Sequence, residues 1–198
     1  MLRKVLFSIL FISSLTYSTE SDSFLLKIRN NLNGIKPFKV NFINRVISNS
    51  TVDIEEKGVM TFRDSEKIKW EYLEPDHKIW ILSGNSYEYY DKQDEQITRG
   101  KLEKKTRLWI FQILYEKDLS EHININVKSR EIDFVNREEG VDFKVFFTPD
   151  LLPFKVIQKD PTGVDIVYIF SDYKSNLRLP SDEFELKTEG DVDIIEFE

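Results

Sequence analysis

The sequence predicts a mainly β fold with a few helices: a strongly curved antiparallel sheet forming an incomplete β-barrel, its open face covered by helices. Apolar and polar residues alternate at period two along most of the chain, giving each strand one dry and one wet face. Turn-forming clusters divide these runs at near-regular intervals, as in strongly curved or barrel-like sheets. Only two stretches switch to helical spacing, one near the start and one around residue 110.

At the N-terminus, Arg3 and Lys4 precede an apolar run from Val5 to Leu15, and Thr16-Tyr17-Ser18 offers small residues at the −3 and −1 positions of a cleavage site. This is the pattern of an export signal, too short for the ~20 apolar residues of a membrane-spanning helix. Residues 1–18 are expected to be a cleaved signal peptide and 19–198 a single soluble domain in the periplasm. Cysteine is absent, so the exported domain is expected to be held by its core without disulfides, and to carry no acylated cysteine of its own.

Ser21-Asp22-Ser23 can then cap a helix of about three turns, with Phe24, Leu25, Ile28 and Leu32 on one side. Asn33-Gly34 is expected to end it, and Pro37 forbids its continuation. From Phe38 the period becomes two. Phe38, Val40 and Phe42 share a face, as do Met60 with Phe62 and Ile68 with Trp70 and Tyr72. Val141, Phe143, Val145 and Phe147 form a later row, and Val164, Ile166, Tyr168 and Phe170 another. Turns are expected at Glu74-Pro75-Asp76, Ser83-Gly84-Asn85, Glu139-Gly140, Thr148-Pro149-Asp150 and Asp160-Pro161-Thr162-Gly163.

One segment departs from alternation. With Thr106 as a possible N-cap, Leu108, Trp109, Ile110, Phe111, Ile113, Leu114 and Tyr115 go nearly all the way round a helical wheel. A helix so apolar must be buried on most sides, which a position across the mouth of a curved sheet provides. An ordinary core helix or a buried strand would also accommodate it. Lys101, Lys104 and Lys105 just before it read as a solvated loop or as a contact for an anionic headgroup.

Composition narrows function by exclusion. The net charge is −7, and losing Arg3 and Lys4 with the signal makes the chain more acidic still, which disfavours a nucleic-acid partner. The two histidines, His77 and His122, stand in no spaced ligand motif, so neither metal nor other cofactor is expected. Carboxylate pairs such as Glu55-Glu56 and Glu138-Glu139 read as exposed charge in turn segments. No phosphate loop or nucleophile elbow is present, and the protein is not expected to be an enzyme. With 15 Phe, 8 Tyr and 3 Trp, either the core is large or aromatic residues line a cavity. Phe42, Met60, Phe62, Ile68 and Trp70 are expected to form one apolar wall, with Leu108, Trp109, Phe111 and Leu114 facing them.

Several elements in order resemble the outer-membrane lipoprotein carrier family: Gly58, Trp70-Glu71-Tyr72 with Pro75, Gly84, Tyr90-Asp91 and Glu95-Gln96. Asp160, Gly163, Phe170, Asn176 and Phe184 resemble its late hairpin, and Asp191-Val192-Asp193-Ile194-Ile195 its terminal strand. The resemblance implies a half-closed barrel plugged by helices, working as a monomer that shelters the acyl chains of lipoproteins. It also implies cargo transfer from an inner-membrane lipoprotein-releasing ABC transporter to an outer-membrane lipoprotein receptor. A related lipid-binding fold serving as a glycolipid carrier or envelope-stress sensor is the alternative. Where the family carries a latching arginine and then a proline, this chain has Asp64 and Ser65, with Arg63 one residue early. Asp64 could latch a cover by accepting from N–H groups at the start of the Thr106 helix, Arg63 could swing in through a bulge, or both could be solvated.

The export pattern yields a direct expectation. N-terminal sequencing of protein from the periplasmic fraction should give Thr19 as the first residue, and an intact Met1 chain in the membrane pellet would refute it.

Overall fold

The computed structural model describes residues 17–64, 66–102, 123–136, 142–159, 161–188 and 191–197. A helix, α1 (Tyr17–Ile35), precedes twelve strands: β1 (Phe38–Ser48), β2 (Thr51–Asp64), β3 (Lys67–Glu74), β4 (Lys78–Ser83), β5 (Ser86–Asp91), β6 (Gln96–Lys101), β7 (Ile123–Lys128), β8 (Glu131–Asn136), β9 (Asp142–Phe147), β10 (Pro153–Lys159), β11 (Val164–Lys174) and β12 (Asp193–Glu196). All twelve belong to one strongly curved open sheet in the order β12-β6-β5-β4-β3-β2-β1-β11-β10-β9-β8-β7.

The hairpins follow from their turn residues. Asn49 and Ser50 both take positive φ, 48° and 65°, between β1 and β2. That two-residue geometry matches the right-handed twist of the strands it joins. Gly84 (φ 60°) turns β4 into β5 and Gly163 (φ 86°) turns β10 into β11, a backbone region open to glycine without steric penalty. One expectation needs correction: the sheet is not wholly antiparallel. β12 joins β6 in parallel, with Ile194 opposite Ile97, because the chain reaches that edge by a long connection from β11 in the middle of the sheet rather than through a hairpin.

The first helix also differs from expectation. It begins at Tyr17, so Ser21-Asp22-Ser23 lies inside it rather than capping it, and it runs through Asn33-Gly34 to Ile35 before Pro37. Its last turn is held from outside: the Asn176 N–H donates to the Ile35 carbonyl at 2.9 Å, and the Leu177 N–H to that of Pro37 at 3.0 Å. A carbonyl left unsatisfied at a helix end thereby finds a partner from the segment after β11.

Alternation divides the sheet into two faces. On the inward face, Leu25, Ile28 and Leu32 of α1 join Phe38, Met60, Trp70, Phe134, Val145 and Phe147 in one buried cluster. Residues three, four and seven apart lie on one side of a helix, which is why α1 can cover the sheet with that stripe. At its far side, Phe24 meets Phe147 edge-on at 6.1 Å between ring centres, and the Asn31 Nδ2 donates to the Asp150 carbonyl at 2.6 Å. On the outward face, Ile79, Ile81, Tyr90 and Ile97 bury Phe184 in a second, smaller cluster. Glu183, beside Phe184, meets Lys39 at 2.8 Å and accepts from the Thr61 hydroxyl at 3.3 Å. One carboxylate thus ties the C-terminal segment to β1 and β2.

Gly58 marks the tightest point. It lies opposite Phe42 on β1 and Tyr72 on β3, and a Cβ added there would sit 2.1 Å from the Glu71 carbonyl oxygen and 2.7 Å from the Phe42 ring. That oxygen is fixed in the sheet, so the clash cannot be relieved by a side-chain rotation. Gly58→Ala should lower the unfolding free energy by about 3 kcal/mol or more, read as a drop in the urea midpoint.

Candidate functional site

The inward face of β1 to β4 is the candidate site. Register places Met60 opposite Trp70 and Trp70 opposite Trp80, so strand alternation alone stacks aromatic and aliphatic side chains into rows. The Phe42 ring meets Trp70 and Tyr72 edge-on, each at 5.0 Å, and Phe38 stacks on Phe62 at 5.0 Å. Across the β1–β11 pairing, Tyr168 and Phe170 lie 5.5 and 6.1 Å from Trp70.

The five residues expected on this wall come together: Phe42, Met60, Phe62, Ile68 and Trp70 are at most 2% exposed. They are packed against one another and against α1, in a closed arrangement. Leu108, Trp109, Phe111 and Leu114, expected to face them, lie outside the described residues, as do Lys104, Lys105 and His122. Among the described residues the cover is α1, the earlier of the two helices expected over the open face, through its Leu25, Ile28 and Leu32 stripe. The sequence reading missed the contribution of the far half of the sheet, where Phe143, Val145 and Phe147 formed a visible row but alternation could not say what that row would touch.

The two latch candidates occupy different surroundings. Pairing shifts by one residue between Phe62 and Asp64, the mark of a bulge at Arg63. The Arg63 guanidinium lies 4.7 Å above the Phe184 ring, a cation–π contact on the outward face. The Asp64 carboxylate accepts from the Glu66 N–H at 2.9 Å within the β2–β3 turn.

Toward the β1–β2 turn the inward face becomes polar. The row of Phe38, Val40 and Phe42 continues to Asn44, which is buried and whose Nδ2 donates to Glu56 Oε2 at 3.1 Å. Lys78 Nζ lies 3.3 Å from Glu56 Oε1, and the Tyr89 hydroxyl donates to Asp91 at 2.8 Å. The Tyr72 hydroxyl donates to that of Tyr168. Burial first, then the partner Tyr168 and the charge of Glu56, keeps the Tyr72 phenol protonated well above its usual range. Burial likewise raises Tyr168 and Tyr173, while burial and the bond to Asp91 raise Tyr89.

Chemically, this surface can bury an apolar chain and meet a polar head at one end. Among the described residues no cluster of three or more His, Asp or Glu side chains is placed to hold a metal. His77 Nε2 lies 3.3 Å from Glu71 Oε1, a hydrogen bond at the sheet surface.

The raised phenols make an alkaline prediction. An ultraviolet titration should leave at least four of the 8 tyrosines un-ionised at about pH 11, beyond the ordinary value of about 10. Because these folded-state values lie above the unfolded one, stability should be full below about pH 10 and fall as pH rises beyond it. Normal ionisation of all the phenols in the folded protein would contradict the packing described.

Residues 33–187 match the family model described as outer membrane lipoprotein carrier protein LolA. The outer-membrane lipoprotein carrier protein of Pseudoalteromonas translucida is 23% identical over 175 residues, covering 84% of each chain. Among solved structures, a LolA superfamily protein from Nitrosomonas europaea superposes with a TM-score of 0.53 at 14% identity, covering 84% of this chain and 97% of that one. MucB in the Pseudomonas aeruginosa MucA/MucB complex shares the fold with a TM-score of 0.54 at 11% identity, over 89% of this chain and 64% of that one. With its family-model match running from the end of α1 to the segment beyond Phe184, the chain belongs to the LolA outer membrane lipoprotein carrier family.

Proposed function

We propose that this protein is a periplasmic carrier that takes the acyl chains of lipoproteins between α1 and the inward face of the sheet and moves them from the inner to the outer membrane. The observation that carries the reading is the wholly apolar wall of Phe42, Met60, Phe62, Ile68 and Trp70, covered among the described residues by the amphipathic α1. Cargo would arrive from an inner-membrane lipoprotein-releasing ABC transporter and leave to an outer-membrane receptor. Leu108, Trp109, Phe111 and Leu114 would contribute to the same apolar enclosure. The role requires binding and release, with no bond made or broken and no cofactor.

Magnitudes favour an exchange of partners over a preformed void. Burying an acyl chain of roughly 15 methylenes gains on the order of 12 kcal/mol. Uncovering Leu25, Ile28 and Leu32 costs about 1.5–3 kcal/mol each, or ~5–9 kcal/mol together. The chain therefore outcompetes the helix stripe, yet by a margin small enough that a receptor can reverse the exchange.

The test uses delipidated mature protein and a fluorescent palmitoyl probe, with mass spectrometry of what co-purifies from the periplasm. One probe should bind per chain and be displaced by an acylated peptide, and the co-purifying species should be lipoprotein. A glycolipid in its place would support the related-carrier alternative. Phe62 and Ile68 are fully buried, so a carboxylate there would unfold the protein rather than report on binding; the informative variant is Ile28→Ala. It should destabilise the fold by about 2–5 kcal/mol while tightening probe binding several-fold, because the cover is easier to displace. Loss of stability with no gain in binding would mean that α1 is fixed core and that the chains go elsewhere.

A further inference from the structure

Asn44 sits where the apolar row of β1 ends, and it is 6% exposed. Its amide orientation is set by its neighbour: facing the Glu56 carboxylate, only the NH2 group can donate, so the oxygen must point away from it. That oxygen, Oδ1, is buried and accepts no hydrogen bond among the described residues. The donors nearby have other partners. Lys78 faces Glu56 and Asp76 at 3.3 and 3.9 Å. The Tyr89 hydroxyl donates to Asp91, and the Tyr72 hydroxyl donates to Tyr168, which stands directly opposite Asn44 on β11. A dry acceptor with nothing to accept is destabilising, and a ligand that supplies a donor there relieves it.

We propose that Asn44 is a headgroup site that reads the amide N–H at the head of an N-linked acyl chain, so that the protein prefers N-acylated ligands to fully esterified ones. The proposal rests on the carrier reading and adds a ligand class to it. A chain lying along Phe42, Trp70 and Phe170 ends beside Asn44. In an N-acyl amide the atom after the acyl carbonyl is an N–H, a donor placed to meet Oδ1. In an ester that atom is an oxygen, and two acceptors would face each other across a buried gap. Glu56 and Lys78 hold the reading amide in its one useful orientation without themselves touching the ligand.

The amide could belong to an acylated peptide or to an amide-linked lipid. Three probes separate these sources and test the site: an N-palmitoyl dipeptide, its isostere with an ester oxygen replacing the first N–H, and N-palmitoylethanolamine. Each competes with the fluorescent palmitoyl probe on delipidated mature protein. The dipeptide should bind about tenfold more tightly than its ester isostere, as expected for one hydrogen bond to a buried acceptor. In Asn44→Leu that ratio should fall to about one. Tighter binding of the dipeptide than of the ethanolamide would assign the site to acylated peptides, and equal binding to amide-linked chains in general; both uphold it. Equal binding of amide and ester by the unmodified protein overturns the proposal whether or not Asn44→Leu folds, as does a tenfold ratio that survives in that variant. If none of the three competes, the carrier reading fails and the headgroup site fails with it.

Discussion

The inward face of the curved sheet carries more apolar surface than it can bury on itself, and covering that face is the demand the rest of the structure meets. Phe38, Phe42, Met60, Phe62, Ile68 and Trp70 come from three adjacent strands, and Phe134, Val145 and Phe147 from the other end of the sheet. Among the described residues neither group has a second sheet to pack against, as the two halves of a sandwich would. The stripe of Leu25, Ile28 and Leu32 on α1 reaches both. The close approach at Gly58 belongs to the same demand, since it lets the Phe42 ring settle against Trp70 and Tyr72 where any side chain on β2 would hold it away.

The outward face is secured separately. Phe184 and its apolar partners, together with the Glu183 carboxylate between Lys39, Thr61 and Lys69, hold the C-terminal segment against β1 to β4. None of these contacts involves α1. A cover exchanged for an acyl chain would therefore leave the wall behind it fastened from outside. This separation fits a carrier, in which one surface must change partners while the fold persists.

The departure from the family at Asp64 and Arg63 takes a physical form here. Arg63 keeps the outward side that alternation gives the residue after Phe62 and lies on Phe184, and Asp64 closes its own turn through the Glu66 N–H. The polar groups of the inward face instead gather at the opposite end of β2, around Asn44, Glu56 and the tyrosine pair. Discrimination at that end would rest on hydrogen-bond matching, while the apolar wall supplies affinity indifferent to the chain's head.

The sequence by itself determined which side of each strand is dry. Period-two alternation placed Phe42, Met60, Phe62, Ile68 and Trp70 on one face, and the helical spacing of Leu25, Ile28 and Leu32 set the stripe of α1, because these periods are properties of local backbone geometry. The order of motifs from Gly58 to Phe184 was also legible and pointed to the family. What only the tertiary structure decided is which surfaces meet. The contacts by which α1 reaches both ends of the wall, the parallel docking of β12 on β6, the seat of Arg63 on Phe184 and the orphaned Asn44 oxygen all depend on partners far away in the chain. Alternation gives a residue's side but not its neighbour; register, and the curvature that brings distant strands under one helix, are set by long-range pairing and burial.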